Sequence, residues 1–292
     1  MHLPEQGSQT QARPAPNASA QWVITVSDDY VVYNDLTYVK ANNYEARLDV
    51  FQPVGIKAPV PTVIFFHGGG WVEGSRASSV LHLLPYLEMG LAVVNVDYRL
   101  ANVSLAPAAV EDCRCALKWV ITNAKQYMFD VNRIIVAGRS AGGHLALTTG
   151  LLSTSDGFDW RCYVDEHPME LKVAAIINWY GVTDVNDVLA GPNSRAWALS
   201  WLGSDPNRIE IAKKVSPLNY VRKSVPPIIT IHGEKDSAVP YSHAVRLHKL
   251  LDQANIPNQL FTVAGGGHGG FNEAEMDAIF SAIRSFLKAH IP

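Results

Sequence analysis

The sequence has no long apolar run and no concentration of positive charge. Its longest apolar stretches, such as residues 173–179, are the size of a strand, well short of the roughly 18 residues that cross a bilayer. The 24 Lys and Arg residues face 27 Asp and Glu residues, a formal charge of −3 without a basic cluster. We therefore expect a soluble protein with no membrane span, and we discount nucleic acid and anionic membranes as partners.

Cysteine is also scarce, since the three present are too few for a disulfide framework. Cys113 and Cys115 lie two positions apart on a predicted helix, point to opposite sides and cannot pair with each other. We expect unpaired thiols, and a bridge from Cys162 to either one stays open. No His-Glu-x-x-His motif and no Cys/His ligand spacing occurs, so the sequence implies no metal.

The first 21 residues lack the charged and apolar regions of a signal peptide. Their Gln, Ser, Ala and Pro content predicts a disordered tail. The same composition fits the start of a mature chain whose signal was trimmed. The compartment stays open: secreted or periplasmic in the second case, cytoplasmic otherwise.

What is present is a globular composition, with 48% hydrophobic and 17% charged residues in 292. Residues 22–52 read as short strands of alternating polarity, which predicts antiparallel pairing with one wet face. Later apolar runs alternate with helix-length segments, which predicts an α/β fold with a mostly parallel central sheet and helices on both faces. We expect one domain over residues 22–292, and the oligomeric state stays open. The later strands are 62–66, 91–96, 133–137, 173–178, 227–231 and 259–263, and the helices are 78–89, 108–125, 142–152, 241–253 and 274–289.

Residues 183–225 interrupt this alternation. The interval is too long for an ordinary connection and has helical pieces at residues 196–202 and 208–213. We expect a small lid over the strand ends, and the alternative is a peripheral helical insertion.

The chemistry centres on residues 133–149, where an apolar strand runs into Gly-x-Ser-x-Gly and then directly into a helix. A serine on so tight a turn has strained backbone, and side chains at Gly138 or Gly142 would collide with neighbouring elements. The pattern therefore predicts an exposed, nucleophilic Ser140 hydroxyl. The alternative is an ordinary serine that caps a helix N-terminus.

Ligands of an open parallel sheet bind beyond the carboxyl ends of its strands. The first such loop here is His-Gly-Gly-Gly-Trp at residues 67–71. We expect the amides of Gly69, Gly70 and Ala141 to form an oxyanion hole, whose donors contribute about 3–4 kcal/mol to a tetrahedral intermediate. His67 is expected to support the loop.

Two further loops supply an acid and a base. Asp236 follows the strand at 227–231 and can hold a histidine in the required tautomer, with Glu234 in reserve; alternatively, Asp236 only ends a turn. His268 lies among five glycines after the strand at 259–263 and suits a general base. The chain order Ser140, Asp236, His268 is that of one hydrolase class and differs from those of chymotrypsin and subtilisin.

The histidine loop also matches Gly-x-Gly-x-x-Gly at residues 265–270. A dinucleotide loop would open the first βαβ unit, whereas this one precedes the last helix, so we reject that interpretation. Among the other histidines, we expect His144 to pack beneath the serine turn. His82, His243 and His248 are expected on helix surfaces.

Taken together, residues 44–292 resemble α/β-hydrolase serine esterases, near the hormone-sensitive-lipase-like and feruloyl/acetyl esterase (BD-FAE-like) branches. The resemblance implies ester hydrolysis through a Ser-His-Asp triad and an acyl-enzyme, without a cofactor. It is carried by LDVFQP at 48–53, HGGGW at 67–71, VDYRL at 96–100, GRSAGG at 138–143, YGVTD at 180–184, SPL at 216–218 and the loop at 232–240.

The N-terminal part lacks the helical cap of hormone-sensitive-lipase-like enzymes. The resemblance therefore implies short-chain acyl or aryl esters as small-molecule substrates, including acetylated or feruloylated carbohydrates. Four aromatic residues are candidate walls of the substrate site, with packing in the core as the alternative: Trp71, Tyr180, Trp197 and Trp201.

Three other functions stay open. Aryl-formamidases use a related glycine loop. Peptidases of the prolyl-oligopeptidase (S9) type share the acid and histidine loops, but they usually lack the triple-glycine loop and carry a propeller. A ligand-binding receptor on a hydrolase scaffold is the alternative that is not an enzyme.

Overall fold

A computed structural model of the chain describes residues 28–41, 43–162 and 169–291. The tail expected at residues 1–21 and the strand expected at residues 22–26 lie outside the described residues. Within the described part, no helix combines the length and the apolar character that crossing a bilayer requires.

The described residues form an eight-stranded sheet in the order β1-β2-β4-β3-β5-β6-β7-β8. β1 pairs with β2, and β2 with β4, in antiparallel fashion; the remaining neighbours are parallel. The sequence-based prediction of an antiparallel start and a mostly parallel sheet is confirmed. The strands are β1 Tyr30–Ala41, β2 Tyr44–Pro53, β3 Val60–Phe66, β4 Ala92–Val96, β5 Phe129–Arg139, β6 Ala175–Trp179, β7 Ile228–Gly233 and β8 Asn258–Val263.

The helices that connect the strands mostly follow the predicted segments. They are α1 Arg76–Ser79, α2 Leu84–Glu88, α3 Ala108–Thr122, α4 Ala124–Tyr127, α5 Ala141–Leu151, α6 Ala196–Leu202, α7 Arg208–Lys214, α8 Ser242–Gln253 and α9 Glu273–His290. The single helix predicted over residues 78–89 is wrong. A 3-10 turn, Val80–His82, separates α1 from α2, and Pro85 lies in the first turn of α2. Since proline has no N–H group, it fits only at a helix start.

The sheet is covered on both faces, which explains the continuous apolar runs. In β3, Ile64 and Phe66 belong to the core layer beneath α3, α5 and α8. Val63 and Phe65 belong to the opposite layer beneath α2 and α9. All four are at most 1% exposed. Because side chains alternate across a strand, covering both faces requires apolar residues at consecutive positions.

The interval 183–225 contains α6 and α7 where helical pieces were predicted. Ala198, Trp201 and Leu202 of α6 are buried in the same core layer as α3 and α5. The carbonyl of Trp201 accepts a hydrogen bond from the Ala106 amide at 3.0 Å. This segment is therefore anchored to the body of the protein.

The expectation of unpaired thiols is wrong for two of the three cysteines. Cys115 and Cys162 form a disulfide, while Cys113 is free and buried. The chain after α5 returns to α3, where Asp159 forms an ion pair with Arg114 at 2.6 Å. This return places Cys162 beside Cys115, a proximity that the spacing of the residues along the chain does not reveal.

Two of the histidines expected on helix surfaces are buried. His243 is completely buried and its Nδ1 accepts the Thr183 amide at 3.0 Å. His248 is 6% exposed, and its Nδ1 lies 2.6 Å from Asn258 Oδ1. The expectation is wrong because both face the sheet side of α8, where polar partners from other elements meet the rings. His82 is exposed, as expected.

Candidate active site

Ser140 lies on the turn between β5 and α5 with φ 57° and ψ −119°, a backbone conformation that non-glycine residues rarely adopt. A Cβ on Gly138 would lie 2.2 Å from the Gly142 carbonyl oxygen, and one on Gly142 would lie 2.0 Å from that of Phe66. Both glycines are therefore sterically required. The Ser140 side chain makes no capping hydrogen bond to the described part of α5, so the helix-cap alternative is wrong.

The fold brings Ser140, Asp236 and His268 together from the loops after β5, β7 and β8. Ser140 Oγ lies 2.8 Å from His268 Nε2, and His268 Nδ1 lies 2.7 Å from Asp236 Oδ2. In the matching tautomer the hydroxyl donates to Nε2 and Nδ1–H donates to the carboxylate. Glu234, the reserve acid, instead accepts the Gly265 amide at 3.2 Å.

The Asp236 carboxylate is buried and fully supplied with donors. Its Oδ1 accepts the amides of Ala238 and Val239 at 2.8 and 2.9 Å. Its Oδ2 lies 3.2 Å from His232 Nε2 as well as close to His268. Burial raises the pKa of Asp236, but the hydrogen bonds from His232 and His268 outweigh burial and hold the pKa well below its ordinary value. Asp236 is therefore ionised at neutral pH.

His232 is a neighbour of the acid that the sequence interpretation did not single out. It is completely buried at the end of β7, and its Nε2 also lies 2.9 Å from the Val239 carbonyl. The only signal in the sequence is a histidine four residues before the acid. That spacing alone does not tell whether the ring meets the carboxylate.

The glycine loop after β3 lies across from the histidine. Gly69 and Gly70 have φ values of 114° and 58°, and a Cβ on Gly69 would lie 2.1 Å from the Glu73 carbonyl oxygen. Among the described residues, none accepts a hydrogen bond from the amides of Gly69, Gly70 or Ala141. The three donors that were expected to bind an oxyanion are thus unused within the described chain.

His67 lies where the sequence placed it, beneath this loop. Its ring is 2% exposed, stacks on Tyr98 at 4.3 Å and contacts the Gly68 carbonyl oxygen through Nδ1 at 2.7 Å. Burial lowers the pKa of His67, so the ring is neutral at pH 7 and Nδ1–H can donate to the carbonyl. This contact holds the backbone of the glycine loop.

A cavity of about 650 Å³ opens over Ser140 and His268, and Tyr180 and Trp197 are on its wall. The expectation that Trp71 and Trp201 also form walls is wrong. Both are completely buried, with ring centres 4.1 Å apart. They pack in the core behind Trp197, whose ring centre lies 5.3 Å from that of Trp71. Arg139, His82 and Glu73, which sequence reasoning missed, line the cavity instead.

His144 packs beneath the serine turn, as expected, and is completely buried. Its Nε2 lies 2.7 Å from the Val215 carbonyl oxygen, so it links α5 to the end of α7. In the described residues, no group of three His, Cys, Asp or Glu side chains could hold a metal ion.

A mostly parallel sheet with helices on both faces, a serine turn after β5, and acid and histidine loops after β7 and β8 define an α/β-hydrolase. Solved structures agree with this class. A truncated carbohydrate esterase from gut microbiota superposes with a TM-score of 0.75 at 25% identity, covering 89% of this chain and 97% of that one. An esterase from the Planctomycetes species Thermogutta terrifontis, with propionate bound, gives 0.73 at 25% identity, covering 89% and 94%.

The chain belongs to the BD-FAE family, whose model matches residues 48–251. Esterase LipC of Mycobacterium tuberculosis is 30% identical over 219 residues, which cover 72% of this chain and 53% of LipC. Esterase LipQ of the same organism is 27% identical, covering 75% and 52%. The chain thus spans about half the length of these two relatives.

Proposed function

We propose that this chain is a carboxylic ester hydrolase with Ser140 as nucleophile, His268 as general base and Asp236 as the orienting acid. The observation that carries the proposal is the continuous contact from Ser140 Oγ through the His268 ring to Asp236, at 2.8 and 2.7 Å. The family and the esterase relatives support the same reaction class.

The proposed mechanism follows from these contacts. His268 Nε2 takes the Ser140 proton while Oγ attacks the ester carbonyl, and the ionised Asp236 stabilises the imidazolium that results. The oxygen of the tetrahedral intermediate accepts the amides of Gly69, Gly70 and Ala141. His268 then protonates the leaving alcohol, and the acyl group remains on Ser140. A water molecule activated by the same base releases the acid and restores the serine.

We further propose short acyl or aryl esters as substrates, with acetylated or feruloylated carbohydrates as the source class. The support is the cavity size and the ring of Trp197 on its wall, together with the likeness to the carbohydrate esterase from gut microbiota. In this proposal residues 22–292 form one domain, and residues 183–225 act as the small lid that carries Trp197.

The decisive experiment compares wild type with Ser140→Ala on p-nitrophenyl acetate. Removing the nucleophile of such a triad lowers kcat by a factor on the order of 10⁴ or more. Ser281→Ala, an exposed serine on α9, is the matched control and keeps full activity. Undiminished turnover by Ser140→Ala would contradict the proposal.

A substrate panel separates the alternatives. An N-formyl aryl amide tests aryl-formamidase activity and a prolyl peptide amide tests peptidase activity, at equal enzyme concentration. A fluorophosphonate probe tests the receptor alternative, since it labels only an activated serine. We expect labelling at Ser140 and the highest kcat/KM on the acetyl esters; no labelling would favour the receptor.

A further inference from the structure

Arg139 directly precedes the nucleophile, and its half-buried side chain lines the same cavity. Its Nε donates to the Tyr180 hydroxyl at 2.5 Å. Its guanidinium carbon lies 5.6 Å from the Trp179 ring centre and 5.5 Å from that of Tyr180. The hydroxyl and the two rings hold the guanidinium in one place beside the reacting serine.

This guanidinium has no acidic partner within the described residues, where no carboxylate oxygen lies within 4.0 Å of it and neither of its Nη atoms donates a hydrogen bond. Other buried arginines of the chain are paired: Arg99 with Asp112 at 2.7 Å and Arg114 with Asp159 at 2.6 Å. A guanidinium presents a planar fork of donors that matches a carboxylate. Arg139 lines the cavity over Ser140 and also a smaller cavity of about 60 Å³ beside Trp179 and Phe280.

Arg139 is the only arginine or lysine among the described residues that line the cavity. Partial burial, and then the charge of Arg139, lower the pKa of the surface residue His82 to about 4, so His82 is neutral at pH 7. Glu73 is exposed and lies on the side of the glycine loop, its Cγ 3.1 Å from the position of a Cβ on Gly69.

Arg139 lies beside the loop that carries His268. A Cβ on Gly269 would be 3.3 Å from Arg139 Nη2 and 3.1 Å from the Tyr180 hydroxyl. Gly269 follows His268, the residue that hands the proton to the departing oxygen in the proposed mechanism. The Tyr180 hydroxyl oxygen accepts a hydrogen bond from Arg139 Nε. The hydroxyl proton of Tyr180 is therefore free to be donated to a ligand.

We infer that Arg139 and Tyr180 form a subsite for a carboxylate carried by the alcohol half of the ester. The inference rests on the proposed function and narrows its substrate class to esters of hydroxy acids, including sugar acids. The carboxylate accepts the Nη donors of Arg139 and the Tyr180 hydroxyl. The acyl group then lies toward Gly70 and Trp197.

The test uses 4-acetoxybenzoate and its neutral counterpart 4-acetoxybenzamide. The readout is the ratio of their kcat/KM values, compared between variants so that intrinsic reactivity and folded fraction cancel. Arg139→Met is expected to lower this ratio about tenfold, the low end for hydrogen bonds to a charge at a partly solvated site. The ratio for Arg139→Lys is expected to lie between those of wild type and Arg139→Met, because lysine keeps the positive charge but lacks the planar pair of donors.

Arg284→Met, which removes an exposed arginine of α9, is the matched charge control and leaves the ratio unchanged. A binding measurement adds a readout without turnover: 4-hydroxybenzoate protects wild-type Ser140 from a fluorophosphonate at lower concentration than 4-hydroxybenzamide does. Added NaCl weakens that difference.

The two proposals fail in different ways. An unchanged ratio in Arg139→Met, or an equal fall in Arg284→Met, overturns the subsite while Ser140-dependent hydrolysis of both esters stands. If wild type cleaves neither ester and takes up no fluorophosphonate, the proposed function falls, and the subsite falls with it.

Discussion

Single residues at the site are held by contacts that leave them few alternatives. The positive φ of Ser140 carries a strain of order 1–3 kcal/mol. Its amide donates to the Trp179 carbonyl at 2.9 Å, and its carbonyl accepts the His144 amide at 3.0 Å. Asp236 is likewise held by two amides and two histidine rings. These contacts fix the position of the Ser140 turn and, through Asp236, that of the His268 ring.

Two ion pairs show how burial changes the contribution of a single carboxylate to the free energy of unfolding. Asp159→Ala leaves the completely buried Arg114 guanidinium without its carboxylate, so the free energy of unfolding should fall by about 3–5 kcal/mol. Asp130→Ala breaks the more exposed pair with Arg133 and should lower the free energy of unfolding by about 1 kcal/mol or less. Urea denaturation of both variants measures the difference. Equal losses would contradict the role given to burial.

At the scale of elements, the candidate site lies at the carboxyl ends of the parallel strands. The glycine loop follows β3, the serine turn β5, the acid loop β7 and the histidine loop β8, and these strands are parallel. The last two loops touch each other closely. The Lys235 amide donates to the Gly266 carbonyl at 2.8 Å, and a Cβ on Gly233 would lie 2.2 Å from the Gly267 carbonyl oxygen. Gly233 must therefore be glycine, whereas Gly265, Gly269 and Gly270 beside His268 have φ values of 69°, 87° and 69°, a region that favours glycine.

The helix α6 should control acyl length, because Trp197 lies on the cavity wall against Gly70. In wild type we expect p-nitrophenyl acetate to be preferred over the octanoate. Trp197→Ala opens the wall and should raise the octanoate-to-acetate ratio of kcat/KM about tenfold, since each added methylene can bury apolar surface. Trp160→Ala, which removes a tryptophan that is 60% exposed, is the control. Equal or faster octanoate turnover by wild type would contradict the proposed preference for short acyl groups.

At the scale of the whole molecule, buried histidines link stability to pH. His144 and His243 are completely buried, and burial lowers the pKa of each from 6.5 to about 4. Below pH 6.5 the unfolded chain binds protons that the folded chain excludes, so stability falls with falling pH. The same residues are therefore neutral in the folded protein at pH 7.

The resulting prediction concerns the free energy of unfolding between pH 7 and pH 4. It should be highest above about pH 6.5 and fall as pH drops toward 4, by up to about 3 kcal/mol for each such histidine. Urea denaturation across this range measures the slope, and His290→Gln, at an exposed position, should leave it unchanged. Stability that is constant or that increases toward pH 4 would contradict the prediction.

The disulfide gives a second prediction at this scale. Denatured without reductant, the protein should expose one thiol per chain, Cys113, and after reduction all three. An Ellman assay in guanidinium counts them, with Cys113→Ser as the control that shows none before reduction. Three thiols in the unreduced wild type would mean that Cys115 and Cys162 are not joined.

The sequence alone predicted the features that depend on neighbours along the chain. Continuous apolar runs indicated strands buried on both faces, and Gly138 and Gly142 around Ser140 indicated the serine turn. The positions of Asp236 and His268 after later strands indicated that they meet at one edge. These predictions work because strand burial and tight turns impose their requirements on consecutive residues.

Only the tertiary structure decided which side chains meet across distant segments. It buried Trp71 and Trp201 but left Trp197 on the cavity wall, although all three are aromatic residues near the site. It joined Cys115 to Cys162 and placed His232 against Asp236. Such contacts depend on how loops and helices pack over the sheet, and identical residue types carry no local mark of which partner they will find.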